Sequence, residues 1–162
     1  PGGIRVKTDY NRLIISKKET STALPFNIDV HIPCIDEPVL DKLRITAIAY
    51  SKEEYIKAFG DTSKQPEKSL VQLFDYNKIK RGINIRNRLP GDVFFPFGSP
   101  GKKKLKDFFI DEKISKDKRD ELPLLVDGEG IIWVIGKRTA EDYKISKDTE
   151  AIIYVKITGI NI

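Results

Sequence analysis

The sequence predicts an α+β fold dominated by antiparallel sheet, with two or three short helices. Three observations carry that expectation. Apolar residues alternate with polar ones along residues 26–32 and 43–50, and a serine–glutamate capping pair follows the second run. After residue 102 the apolar spacing changes from two to three and four, and strands return near the end of the chain.

Taken in order, Ile4-Arg5-Val6 and Leu13-Ile14-Ile15 flank Asp9-Tyr10-Asn11, the pattern of a hairpin with turn formers at its tip. Phe26, Ile28, Val30 and Ile32 alternate with Asn27, Asp29 and His31 between Pro25 and Pro33, as in a half-buried strand. Leu43, Ile45, Ala47 and Ala49 alternate with Arg44, Thr46, Ile48 and Tyr50 in a longer one. Ser51 and Glu54 form a capping box, which opens a short helix through Phe59 closed by Gly60. Residues 61–69 are polar, contain Pro66 and read as a loop.

Leu70 to Phe74 returns to strand, and Ile83 and Ile85 mark another. Leu89-Pro90-Gly91-Asp92 is a turn signal and Phe97 to Gly101 a loop. From Lys102 a helix is expected, because Leu105, Phe108 and Phe109 fall on one face. A second short helix should run from Ser115 to before Pro123. Leu124–Val126 and Ile131–Ile135, joined by Asp127-Gly128-Glu129-Gly130, read as a hairpin, and Ala151–Ile157 as the last strand.

A chain of 162 residues is expected to form a single domain over 1–162, with a core that needs neither disulfides nor metals. No run approaches the ~18 apolar residues of a transmembrane helix. The lone cysteine, Cys34, cannot form an internal disulfide, which points to the cytoplasm. The absence of methionine and the opening Pro1-Gly2-Gly3 read as a piece cut from a longer polypeptide.

Net charge is +5, but it is unevenly placed. Residues 1–77 balance at 11 basic and 11 acidic, and residues 107–162 carry 9 basic and 12 acidic. Between them Lys78, Lys80, Arg81, Arg86, Arg88, Lys102, Lys103, Lys104 and Lys106 face Asp92 alone, for a net of +8. Such concentration favours a polyanionic partner; the alternative is a basic structural or interaction module docking an acidic partner or domain.

Several chemistries are excluded. His31 and Cys34 are too few for tetrahedral zinc and read as an outward strand residue and a small filler. No serine or cysteine has an evident base. Gly101-Lys102 is followed by Lys103 where a phosphate loop needs Ser or Thr, and Pro96 stands where it needs Gly. Asp111-Glu112 and Asp120-Glu121 read as solvated helix surface. The isolated chain is therefore expected to be non-catalytic, with no cofactor of its own.

The positive signal is Lys102–Lys104 at the start of the expected helix. Three cations in a first turn oppose the helix dipole by ~0.3–1 kcal/mol each, a cost that a bound anion would reverse. The alternative is a frayed, solvated cluster. Arg86 and Arg88, two apart at a strand end, should project from one face and suit phosphate. Phe108 and Phe109 read as core, whereas Phe97 in its glycine-rich loop is open to either core packing or base stacking.

The stretch Ile85-Arg86-Asn87-Arg88-Leu89-Pro90-Gly91-Asp92, then Phe94, Pro96 and Gly98, resembles the signature of the last domain of tRNA(Ile)-lysidine synthetases. Lys103 to Asp111, Lys113, Arg119, Leu122-Pro123-Leu124, Val126 to Glu129, Trp133 and Gly136 continue the likeness, as do Pro1 to Val6 and Tyr10. It is dense over 82–138 and thin between about 19 and 70. The resemblance implies a β-sandwich-containing three-layer domain, similar to a module of the phenylalanyl-tRNA synthetase β subunit. It implies a tRNA-binding, non-catalytic domain that grips the acceptor stem of an isoleucine tRNA. The parent's N-terminal catalytic domain, with ATP and magnesium, would attach lysine to the wobble cytidine; its Ser-Gly-Gly-x-Asp-Ser motif is absent here. Carried over, Arg86, Arg88, Lys103, Lys104, Lys106 and Arg119 are the tRNA-binding candidates. Pro90, Gly91, Asp92 and Asp107 are implied to be structural, by turn or helix hydrogen bonding or by orienting a nearby arginine. Phe95-Pro96-Phe97 departs from the family pattern, which has a basic or polar residue and then a small aliphatic one.

Overall fold

The computed structural model describes residues 4–9, 12–17, 24–61, 70–128 and 130–160, the first two stretches as backbone only. Its strands and helices run β1 (Ile4–Asp9), β2 (Arg12–Lys17), β3 (Asn27–Val30), β4 (Cys34–Leu40), β5 (Leu43–Ser51), α1 (Lys52–Phe59), β6 (Val71–Asp75), β7 (Ile83–Arg86) and β8 (Val93–Phe94). They continue with β9 (Lys103–Lys104), α2 (Leu105–Asp111), β10 (Leu124–Asp127), β11 (Gly130–Val134), β12 (Arg138–Thr139) and β13 (Ala151–Thr158). Every pairing among them is antiparallel. β1 and β2 form the hairpin expected at the N-terminus, with Tyr10 and Asn11 outside the described residues.

Two larger sheets make the sandwich. One has the order β12-β11-β10-β7-β3 and the other β4-β5-β13-β6. Alternation along β13 shows how the layers assemble. Ile153, Val155 and Ile157 enter the core between the sheets, beside Trp133, Phe74, Ile45 and Ile85, while Ile152 and Tyr154 turn outward to meet Tyr55 of α1. β10 is buried on both faces: Leu125 faces the other sheet, and Leu124 and Val126 face α2. Leu105, Phe108 and Phe109 are the buried face of α2, as their spacing predicts. Each such side chain contributes roughly 1.5–3 kcal/mol by leaving water. α2 and the two sheets are thus the three layers, and α1 lies on the remaining face.

The capping box is present in full: Glu54 N–H donates to Ser51 Oγ at 3.2 Å and Ser51 N–H to Glu54 Oε2 at 3.0 Å. Gly60 closes α1 at φ +85°, a left-handed value that favours glycine.

Two expectations are corrected. The helix expected from Ser115 is a single 3-10 turn over Lys116–Lys118. The segment has only Ile114 and Leu122 as apolar residues, too few for the apolar stripe that stabilises a short helix. The helix expected from Lys102 begins at Leu105, because Lys103 and Lys104 pair with Phe94 and Val93 as β9. The loop reading of 61–69 falls on residues that, after Asp61, lie outside those described.

Candidate functional site

The signature from Ile85 to Asp92 ends β7 and folds back in one tight turn. Pro90 and Gly91 occupy its centre, and Gly91 has φ +89°, which a type II turn requires at that position. Asp92 is the hub of the turn. Its N–H donates to the Leu89 carbonyl at 3.2 Å, its carboxylate accepts the Leu89 N–H at 2.7 Å, and its carbonyl accepts the first N–H of α2, from Leu105, at 2.8 Å. The same carboxylate takes both Arg86 Nη atoms at 2.9 Å each, and Arg86 Nη1 also donates to the Asn87 carbonyl at 2.9 Å. Both charged side chains are over nine-tenths buried, a bidentate pair withdrawn from water.

Asn87 performs a second fastening. Its Oδ1 accepts the Phe26 N–H at 2.7 Å and its Nδ2 donates to the Asp120 carbonyl at 2.7 Å. Arg88 Nε meets Asp120 Oδ1 at 2.6 Å, with the arginine side chain one-third exposed. The end of β7 therefore ties together the segments before β3, before α2 and before β10.

The six candidates separate by environment. Arg86 is buried against Asp92, so Arg86 and Arg88 do not share an open face; that expectation is corrected by the way the turn folds over Arg86. Arg88 is paired with Asp120, and Lys103 with Asp111 across α2. Arg119 donates Nε to the Ile114 carbonyl at 3.0 Å. Lys104 and Lys106 are exposed and, like Lys102, have no side-chain hydrogen bond or ion pair among the described residues. Along 102–106 exposure alternates, with Lys102, Lys104 and Lys106 outward, Lys103 half-buried and Leu105 in the core. Three exposed ammonium groups without an ion pair among the described residues result. Only Lys106 lies in the first turn of α2, where Asp107 offsets the helix dipole, so the three-lysine helix turn expected from the sequence does not form.

At its other end the β8–β9 hairpin is pinned to residues 139–141. Phe97 N–H donates to the Thr139 carbonyl at 2.9 Å, Glu141 N–H to the Phe95 carbonyl at 2.7 Å, and Gly98 N–H to Glu141 Oε2 at 3.1 Å. The Lys144 ammonium, and then the Gly98 N–H, hold the Glu141 carboxyl below the usual carboxylate range. Burial, then the negative charges of Asp127 and Asp142, push the nearby Tyr143 hydroxyl up to about 12.

Asn87 and Glu141 were given no role by the sequence reading, and Asp120, read there as solvated helix surface, instead lies in a turn and pairs with Arg88. An asparagine between two arginines at a strand end offers one signal, since its amide can donate and accept at once. Nothing local marks Asp120, whose partners Asn87 and Arg88 come from far along the chain, and Glu141 has only Lys144 nearby in sequence while Gly98 is distant. His31 is exposed and Cys34 buried, and no group of three or more His, Cys, Asp and Glu residues converges among the described residues.

The model of the TilS substrate C-terminal domain family matches residues 83–156. The tRNA(Ile)-lysidine synthase of Caldanaerobacter subterraneus subsp. tengcongensis is 36% identical over 92% of this chain and 30% of its own length. That of Clostridium acetobutylicum is 41% identical over 97% of this chain and 33% of its own length. The chain thus spans about a third of these relatives. A crystal structure of a TilS C-terminal domain shares the fold, with a TM-score of 0.67, 22% identity, and coverage of 85% of this chain and 99% of that one. Likeness to an N-terminal fragment of the phenylalanyl-tRNA synthetase β subunit from Pyrococcus horikoshii is weaker, at a TM-score of 0.44, and carries no weight for the fold. By its signature turn and its relatives, this chain belongs to the family of tRNA(Ile)-lysidine synthase C-terminal domains.

Proposed function

We propose that this chain is the tRNA-gripping, non-catalytic part of a cytoplasmic tRNA(Ile)-lysidine synthase, and that it holds the acceptor stem. The observation that carries the reading is the set of Lys102, Lys104 and Lys106, exposed and without an ion pair among the described residues. A row of ammonium groups on a rigid hairpin and helix start suits the phosphates of an RNA duplex, read by shape and charge rather than by base sequence. Arg88, Lys103 and Arg119 lie in the same part of the fold and can exchange their present partners for phosphate. Arg86 acts through the turn it holds.

The chemistry of the parent, ATP-dependent attachment of lysine to the wobble cytidine, belongs in this reading to the N-terminal catalytic domain. Residues 101–103 do not form a Gly-Lys-Ser/Thr phosphate loop: Gly101-Lys102 continues into Lys103, and β9 follows. No step of catalysis is assigned to this chain.

A fluorescence titration of an isoleucine tRNA at several salt concentrations tests the proposal. Neutralisation of roughly 4–6 phosphates would give a slope of log affinity on log salt of about −0.9 per phosphate, with B-DNA's value standing in for RNA. Salt-insensitive binding, or equal affinity for an unstructured polyanion, would contradict it.

A further inference from the structure

The β8–β9 hairpin ends in a turn that holds an aromatic ring out in water. Phe97 is 41% exposed, whereas Phe94, Phe108 and Phe109 of the same region are core, with Phe94 and Phe108 edge to face at 5.1 Å. The turn carrying Phe97 is fixed on both sides. Its own N–H is bonded to the Thr139 carbonyl, Ser99 N–H donates to the Pro96 carbonyl at 3.0 Å, and Ser99 Oγ donates to the Gly101 carbonyl at 3.1 Å. Gly98, at φ +74°, is tied to the Glu141 carboxylate. A ring on a turn this well bonded is presented at little further entropic cost to a ligand.

Cations lie on the same hairpin as the ring and behind its turn. Lys102 and Lys104 follow it on the same hairpin. Behind the turn, Glu141 accepts the Gly98 N–H and pairs with Lys144, and Lys78, itself 3.7 Å from Asp75, donates Nζ to the Lys144 carbonyl at 2.9 Å. An exposed aromatic ring with cations on the same hairpin is a combination that binds single-stranded nucleic acid, with the base on the ring and the phosphates on the cations. A duplex hides its base faces, so the ring can add to the lysines only where a nucleotide is unpaired.

We propose that Phe97 is a stacking platform for an unpaired nucleotide next to the duplex held by Lys102, Lys104 and Lys106, with the flanking phosphates drawn to Lys102 and Lys104. This rests on the RNA reading above, and it adds single-stranded nucleotides to the class of RNA recognised.

The test compares two fluorescently labelled RNA hairpins of the same stem, one blunt and one with a four-nucleotide 3′ overhang, against the whole chain, Phe97→Ala and Phe97→Trp. The native chain should bind the overhang RNA roughly tenfold more tightly, within the range of one stacked base. Phe97→Ala should bind both RNAs alike, at the blunt level. Phe97→Trp should keep the preference and show quenched indole emission with the overhang RNA, over a constant signal from Trp133, which is fully buried. Equal binding of both RNAs by the native chain would overturn the platform and leave the duplex reading standing, as would a preference that survives in Phe97→Ala. Failure of the native chain to bind either RNA would overturn the duplex reading, and the platform with it.

Discussion

Arg86 and Lys104 belong to the same positive segment and flank the same turn, yet one is sealed against Asp92 and the other stands unpaired in water. The guanidinium end of the segment is a fastener: its charge is used up inside the protein, where removing a partner would strand a buried ion. The ammonium end has no use within the described fold, and its alternation with Leu105 and Lys103 keeps three cations on the surface. Charge density along the chain cannot separate these cases, whereas burial separates them at once. Arg86 builds the ledge, and the lysines are what the ledge presents.

The contrast can be broken most forcefully at the fastener. Asp92→Ala leaves Arg86 buried without its carboxylate and frees the Leu89 N–H, so it should destabilise the chain by about 3–5 kcal/mol in urea unfolding. Replacing both partners by apolar residues, Arg86→Met with Asp92→Leu, should recover much of that loss. An Asp92→Ala chain as stable as the native one would show that the pair does not hold the turn. Asn87→Ala comes next, at about 1–3 kcal/mol, because it orphans the Phe26 N–H and the Asp120 carbonyl. Neither change should alter the salt slope of RNA binding when measured on folded protein.

A smaller effect is expected from pH at the other end of the hairpin. Glu141 is held below the usual carboxylate range in the folded state, so it stabilises the chain at pH above its unfolded value. That stabilisation is lost as pH falls through the lowered folded value. Urea midpoints followed from neutral to acid pH should therefore fall less steeply in Glu141→Gln than in the native chain. Parallel curves would mean that the Lys144 and Gly98 contacts do not persist in solution.

Much of the fold was legible because burial imposes period. β5, β13 and the apolar face of α2 follow directly from alternation or from i, i+3, i+4 spacing, and the capping box marked the start of α1. β4 was not legible. Cys34–Leu40 carries Asp36, Glu37 and Pro38, all signals against a strand, and it survives as the edge of its sheet, where a proline need not donate to a second neighbour. The start of α2 was misplaced because lysines have helix propensity, and only the pairing of Lys103 and Lys104 with β8 keeps them extended. At the site, the cationic segment and the signature turn could be read from the chain. The burial of Arg86 could not, since it depends on a type II turn bringing Asp92 back over it.

The most direct measurement is the salt dependence of tRNA affinity for Lys102→Gln, Lys104→Gln and Lys106→Gln combined, beside Lys42→Gln, an exposed lysine on the β4–β5 turn. The triple variant should lose about 0.9 from the slope for each lysine that contacts phosphate, weaken binding at least roughly tenfold at low salt, and unfold within about 0.5 kcal/mol of the native chain. Lys42→Gln should match the native chain. Unchanged affinity and slope in the triple variant, or an equal loss in Lys42→Gln, would contradict the lysine row as the RNA-binding surface.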